Sequence, residues 1–143
     1  MRFLMLMYPS DKAETGAMPE AKLVEQMMKY NEELAKAGVL LSLDGLHPSS
    51  KGARVTWDAA GKPIVTDGPF TEVREVVGGY WIIQVKSREE AIEWARRVPS
   101  ADARKIELRQ IFEMTDFPAD VQKVAESPEV RATIERIEKQ ARS

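Results

Sequence analysis

"RFLMLMY", residues 2–8, is apolar without interruption from Phe3 to Met7. A strand sends successive side chains to opposite faces, so this run predicts a strand covered on both. The flanking segments say what lies on one side. Pro19 opens a helix in which Leu23, Met27, Tyr30, Leu34 and Ala37 recur at alternating spacings of four and three, a single buried stripe ending at Gly38. Val39–Leu46 reads as a second strand, with Val39, Leu41 and Leu43 on one face and Leu40, Ser42 and Asp44 on the other. "YWIIQVK", residues 80–86, is a third strand, with Trp81, Ile83 and Val85 opposite Tyr80, Ile82 and Gln84. Ser87 and Glu90 form a capping box for a second helix, which Pro99 prevents from continuing. Lys105–Met114 is the last strand, with Ile106, Leu108, Gln110 and Phe112 opposite Lys105, Glu107, Arg109 and Ile111.

This order is β-α-β-β-α-β, an α+β ferredoxin-like protomer with both helices on one side of an antiparallel sheet. The opposite face carries Leu40, Ile82 and Ile111 beside Ser42, Asp44, Gln84, Glu107 and Arg109, and the first strand is apolar there too. A second copy is the simplest cover, so a homodimer enclosing a partly polar cavity is expected. Between the second and third core strands, "ARVTWD" and "PIVTD" form an inserted β-hairpin. Residues 1–115 are expected to form this domain. Residues 116–143 form a helical extension, in which Ser127 caps a helix with Pro128 at its first position and Val130, Ile134 and Ile137 as a narrow stripe.

With 143 residues, 43% hydrophobic, the chain suits a domain with a substantial core. Twenty-one basic against 23 acidic residues leave a charge of -2, which argues against nucleic-acid coating. The absence of cysteine excludes disulfides, thiolate metal sites and cysteine nucleophiles. "MRFLMLMY" is too short for a signal peptide and no run is long enough to span a membrane, so a cytoplasmic protein is expected. The basic run "ARRVPSADARK" lacks interleaved aromatic residues and reads as a solvated helix end.

Asp67-Gly68-Pro69-Phe70 places a carboxylate, two turn residues and a ring in succession. Pro69 presets a turn, and the Asp67 carboxylate is expected either to accept hydrogen bonds from nearby backbone N–H groups or to serve as a base. His47, the only histidine, lies close in sequence to Asp44 and is the other candidate base; the alternative is a loop histidine bonded to backbone. "HPSSKGAR" gathers Ser49, Lys51 and Arg54, a composition suited to holding an anion, although a plain solvated turn reads equally well. Arg109, Tyr80 and Phe70 complete the candidate substrate contacts. A lone histidine and scattered carboxylates have no ligand spacing, so neither metal nor cofactor is expected. Trp57, Trp81 and Trp94 read as core or interface anchors. The hairpin and "DGPF" turn are expected to fold toward the "LHPSSKGAR" loop, bringing His47, Asp67, Arg54 and Phe70 to one rim.

"VTDGPFTEVREVVGGYWIIQVKSREEAIEWARRVP", with "LHPSSKGARV" and "KIELRQIFEMTDF", resembles the DGPF branch of the YCII-related proteins. The resemblance implies the dimeric α+β barrel superfamily, a face-to-face homodimer and a fold similar to that of muconolactone isomerases and small monooxygenases, which hold substrate in the enclosed cavity. DGPF members are often encoded beside extracytoplasmic-function sigma factors, which implies a regulatory or stress-linked role and a sigma factor as partner. The His and Asp that better-studied YCII-like members carry near the two ends of the first helix are absent from "MPEAKL" and "ELAKAGVL". The expected function is binding or acid–base transformation of a small organic acid or carbonyl compound in a homodimer cavity. The alternative is a non-catalytic interaction module serving a sigma factor.

Overall fold

The apolar strand β1 (Arg2–Pro9) is central in the sheet, running between two antiparallel neighbours. In the computed structural model, which describes residues 1–100 and 103–143, it is followed by α1 (Asp11–Glu14), α2 (Ala21–Lys36), β2 (Leu40–Gly45), β3 (Ala53–Trp57) and β4 (Pro63–Asp67). Then come β5 (Gly79–Gln84), α3 (Arg88–Arg96), β6 (Ala103–Gln110), α4 (Ala119–Ala125) and α5 (Pro128–Ala141). The main sheet has the order β2-β5-β1-β6, and β3 and β4 pair as a separate hairpin. With the hairpin set aside this is the ferredoxin-like arrangement. Ala101 and Asp102, within the basic run read as a helix end, lie outside the described residues.

Phe3, Met5, Trp81 and Ile83 from the sheet pack against Tyr30, Leu34, Ala91 and Trp94 from α2 and α3. Tyr30 meets Trp81 edge-on, with ring centroids 5.8 Å apart, and its hydroxyl donates to the Trp94 carbonyl at 2.8 Å. Burial pushes the Tyr30 phenol far above its ordinary range. The Trp81 indole N–H donates to Asn31 at 2.8 Å. Two of the three tryptophans are thus core residues, whereas Trp57, on the hairpin, is 66% exposed.

Helix ends follow local chemistry. α2 closes in a Schellman motif, with Gly38 at φ +71°, the Gly38 N–H on the Ala35 carbonyl and the Val39 N–H on that of Leu34. Its start is later than expected: Glu20 is the N-cap, and Pro19 precedes the helix. At α3 the Ser87 hydroxyl accepts the Glu90 N–H at 3.1 Å. The Glu90 carboxylate takes the Lys86 N–H at 2.8 Å, so the reciprocal arm of the expected box falls one residue earlier.

Two strand expectations need correction. A bulge lets β2 advance from Leu40, opposite Ile83, to Ser42, opposite Ile82. Leu41 becomes the extra residue and is exposed, while Leu40 and Leu43 both pack against the core. The last strand ends at Gln110, not Met114. The open face of the sheet can be read from the pairing. Leu4 lies between Ile82 and Arg109, and Leu6 between Tyr80 and Glu107, with Ser42 beside Ile82 and Asp44 beside Tyr80.

Met1–Ile111 and Phe112–Ser143 form two compact units. In the second, the rings of Phe112 and Phe117 lie 5.0 Å apart, and Ser127 caps α5 with Pro128 in its first turn.

The core interactions set an order of mutational costs. Leu34→Ala should destabilise by about 2–5 kcal/mol, as a fully buried truncation leaves a cavity. Tyr30→Phe, which removes the hydroxyl's bond to the Trp94 carbonyl, should cost about 1–2 kcal/mol. Chemical denaturation giving the reverse order would show that the Tyr30 hydroxyl matters more than the packing beneath it.

Candidate functional site

The side chain at the centre of the site is Ser49, the buried polar residue of the 3-10 turn Ser49–Lys51. Its backbone N–H donates to Glu14 Oε1 at 2.9 Å and its hydroxyl to Glu14 Oε2 at 2.5 Å. The same hydroxyl accepts the Phe70 N–H at 2.9 Å. Ser49 thereby joins α1 to the turn that contains Asp67-Gly68-Pro69-Phe70. Gly68 completes the junction: its N–H donates to the Gly52 carbonyl at 3.0 Å. A Cβ at position 68 would stand 1.7 Å from the Ser49 carbonyl oxygen. Only glycine fits there.

Beside this junction lies a cleft of about 440 Å³, within the ordinary range for small-ligand sites. α2 lines it with Leu23, Val24, Met27 and Met28, one step wider than the core stripe. The segment between β1 and α2 contributes Ala13 and residues 16–19, and the turn after β2 contributes Leu46, His47 and Pro48. The segment is fixed at two points, by Glu14 on Ser49 and by an ion pair between Asp11 and Arg104.

Among the described residues, His47 is the one ionisable side chain that lines the cleft. Among the described residues its imidazole makes no hydrogen bond. The nearby carboxylate of Asp44 is engaged elsewhere, accepting the Tyr80 hydroxyl at 2.9 Å on the open face of the sheet. Arg109 lies on that face too, 3.7 Å from Glu107.

The "HPSSKGAR" loop and the "DGPF" turn do meet, through Ser49, Gly68 and Phe70. Arg54 joins them, its guanidinium 3.7 Å above the Phe70 ring and 3.7 Å from the Glu72 carboxylate. The Glu72 carboxyl is held below its usual range by its own backbone N–H, then by the Thr71 hydroxyl and Arg54. Lys51 and Asp67 are exposed. His47 alone of the candidate residues lines the cleft; Arg54, Asp67 and Phe70 do not. The expected hydrogen bonding of the Asp67 carboxylate to the turn is not formed among the described residues. The neighbouring donors are already used: Gly68 donates to Gly52, Pro69 has no N–H, and Phe70 donates to Ser49.

The profile of the YCII-related domain matches residues 1–115. The chain belongs to the YCII-related family. The uncharacterized protein R00369 of Rhizobium meliloti (strain 1021) is 29% identical over 105 residues, 71% of this chain and 83% of that protein. A solved structure of 5-chloro-2-hydroxyhydroquinone dehydrochlorinase (TftG) from Burkholderia phenoliruptrix AC1100, in complex with 2,5-dihydroxybenzoquinone, superposes with a TM-score of 0.47 at 12% identity, covering 82% of this chain and 100% of that one.

The matched YCII-related region contains the cleft and every candidate residue named above. Glu14 and the cleft methionines carry no local signal in the sequence. Glu14 finds its partner 35 positions away, and the methionines resemble any helix stripe. Among the described residues no group of three or more His, Asp or Glu side chains is placed to hold a metal ion.

The junction predicts a clear order of sensitivity. Ser49→Ala should destabilise by about 1–3 kcal/mol, because it strands the Phe70 N–H and one Glu14 oxygen. Gly68→Ala should cost at least as much, whereas Asp67→Ala should stay within about 0.5 kcal/mol, as at an uncommitted surface position. Urea denaturation of the three variants checks this, and an Asp67→Ala loss matching that of Ser49→Ala would overturn it.

Proposed function

We propose that this YCII-related protein, of the DGPF branch, is a cytoplasmic small-molecule-binding protein whose ligand occupies the cleft beside His47. The observation that carries the reading is the cleft itself: a ligand-sized space with apolar walls and one ionisable side chain without a partner among the described residues. Apolar walls with a sparse polar group are the usual make-up of such sites. If the protein is an enzyme, His47 is the group suited to exchange a proton with a small carbonyl compound or organic acid. Asp67, Arg54, Lys51, Ser49 and Phe70 then belong to the neighbouring junction, which holds the cleft's border in place.

The open sheet face supports a homodimer. Leu4, Leu6 and Ile82 form an apolar centre, with Asp44, Tyr80, Glu107 and Arg109 around it. Two such faces together enclose a partly polar space with Tyr80 and Arg109 on its border. Residues 116–143 are read as an appendage to this domain. A second reading, an interaction module for a partner such as a sigma factor, is favoured by the hairpin. There Val55, Trp57 and Val65 lie on one side as cross-strand neighbours and are 49%, 66% and 66% exposed.

Thermal-shift screening with small carbonyl compounds and organic acids tests the leading reading. A ligand that stabilises the wild type should bind His47→Ala more weakly by about 1–3 kcal/mol, with the melting temperature of the free variant unchanged. Undiminished binding by His47→Ala would remove His47 from the site. For the dimer, light scattering should give twice the chain mass for the wild type and a lower mass for Leu6→Asp. A monomeric wild type at micromolar concentration overturns that part.

A further inference from the structure

The segments around the cleft are rich in charge, yet among the described residues no Asp, Glu, Lys or Arg side chain lines it. Asp11, Lys12, Glu14 and Glu20 lie on the segment between β1 and α2, and Lys22, Glu25 and Lys29 lie along α2. None of these side chains lines the cleft. Two of them have other partners: Asp11 pairs with Arg104, and Glu14 binds Ser49. The lining is instead apolar, with Met7, Met18, Met27 and Met28 supplying four of the chain's seven methionines. Met18 and Met28 are 87% and 66% exposed, so this apolar lining extends to the rim. Flexible thioethers adapt to irregular shapes and make favourable contacts with aromatic rings.

We propose, building on the reading of the cleft as a ligand site, that it selects an uncharged, chiefly apolar molecule, aromatic by preference, which presents a single polar group to His47. At interior packing density about 440 Å³ holds roughly 20–25 non-hydrogen atoms. A carboxylate or sulfonate buried among these methionines loses its hydration and meets no Lys or Arg side chain among the described lining residues, only the His47 imidazole. Sites that hold such anions supply several charged or backbone donors. Within the proposed function the carbonyl class therefore fits this cleft, and the organic-acid class does not.

Two fluorescent probes that share a ring system and differ in charge separate these possibilities. N-phenyl-1-naphthylamine is neutral, and 1-anilinonaphthalene-8-sulfonate is its anionic relative. Titrated against the full chain, the neutral probe should bind at one site per chain and at least about tenfold more tightly than the anion, as expected for burying an unpaired charge. Ala17→Trp, which fills the cleft from an exposed position, should abolish neutral-probe binding with the thermal melt unchanged. Met28→Lys, at an exposed rim position, should raise affinity for the anion about tenfold, since it adds a charge without closing the cleft. Equal or tighter wild-type binding of the anion overturns the ligand class but leaves the cleft as a site. Failure of both probes to bind the folded wild type, or neutral-probe binding that survives a well-folded Ala17→Trp, overturns the cleft reading as well.

Discussion

The contact on which the site depends is that between the Glu14 carboxylate and Ser49. One carboxylate receives both a backbone N–H and a hydroxyl from a buried residue. Hydrogen bonds to an ionised acceptor are about twice as strong as neutral ones. The serine oxygen is then oriented to accept the Phe70 N–H, which brings the chain leaving the hairpin against the turn after β2. Gly68 allows that approach to reach backbone contact. Three segments far apart in sequence, at positions 14, 49 and 68–70, thus act as one unit, and the cleft is bordered by the first two.

The second constraint is the split character of β1. One set of its side chains, Phe3 and Met5, lies in the core with Tyr30, Leu34 and Trp94. The other set, Leu4 and Leu6, sits at the centre of the open face between β5 and β6. A protomer alone leaves that centre in water, which is the physical ground for the dimer proposed above. The polar groups around it are arranged in pairs, Tyr80 with Asp44 and Arg109 with Glu107. They therefore tolerate partial burial better than isolated charges do.

What the sequence made legible follows from how local each signal is. The alternation in "YWIIQ", the Ser87 cap and the Gly38 stop each depend on residues within one element, and each is found where the pattern places it. The β2 faces were misread because alternation assumes an unbroken pleat, and one extra residue at Leu41 reverses the phase. The Asp67 capping was misread for a different reason. A turn carboxylate is a good acceptor, but the donors it needs had been taken by Ser49 and Gly52, neither of which is adjacent in sequence. The meeting of the "HPSSKGAR" loop with the "DGPF" turn was legible from topology. That His47 faces a methionine-lined cleft while Arg54 stacks on Phe70 was not, because side-chain direction at a loop is set by packing.

The cleft also explains why the connection from β1 to α2 is longer than a ferredoxin-like chain needs. Residues 10–20 form a short helix and an irregular stretch where a tight turn would close the β-α unit. Such an excursion loses conformational entropy unless it is anchored. Its anchors are polar, and their side chains do not line the cleft: Asp11 on Arg104 and Glu14 on Ser49. The apolar members of the same stretch, from Ala13 to Pro19, are left to face α2. Holding the segment through its charges is thus the same act as clearing charge from the cleft. A substitution that releases Glu14 from Ser49 both loosens the border and frees a carboxylate beside an apolar space, so stability and ligand preference are coupled through this one contact.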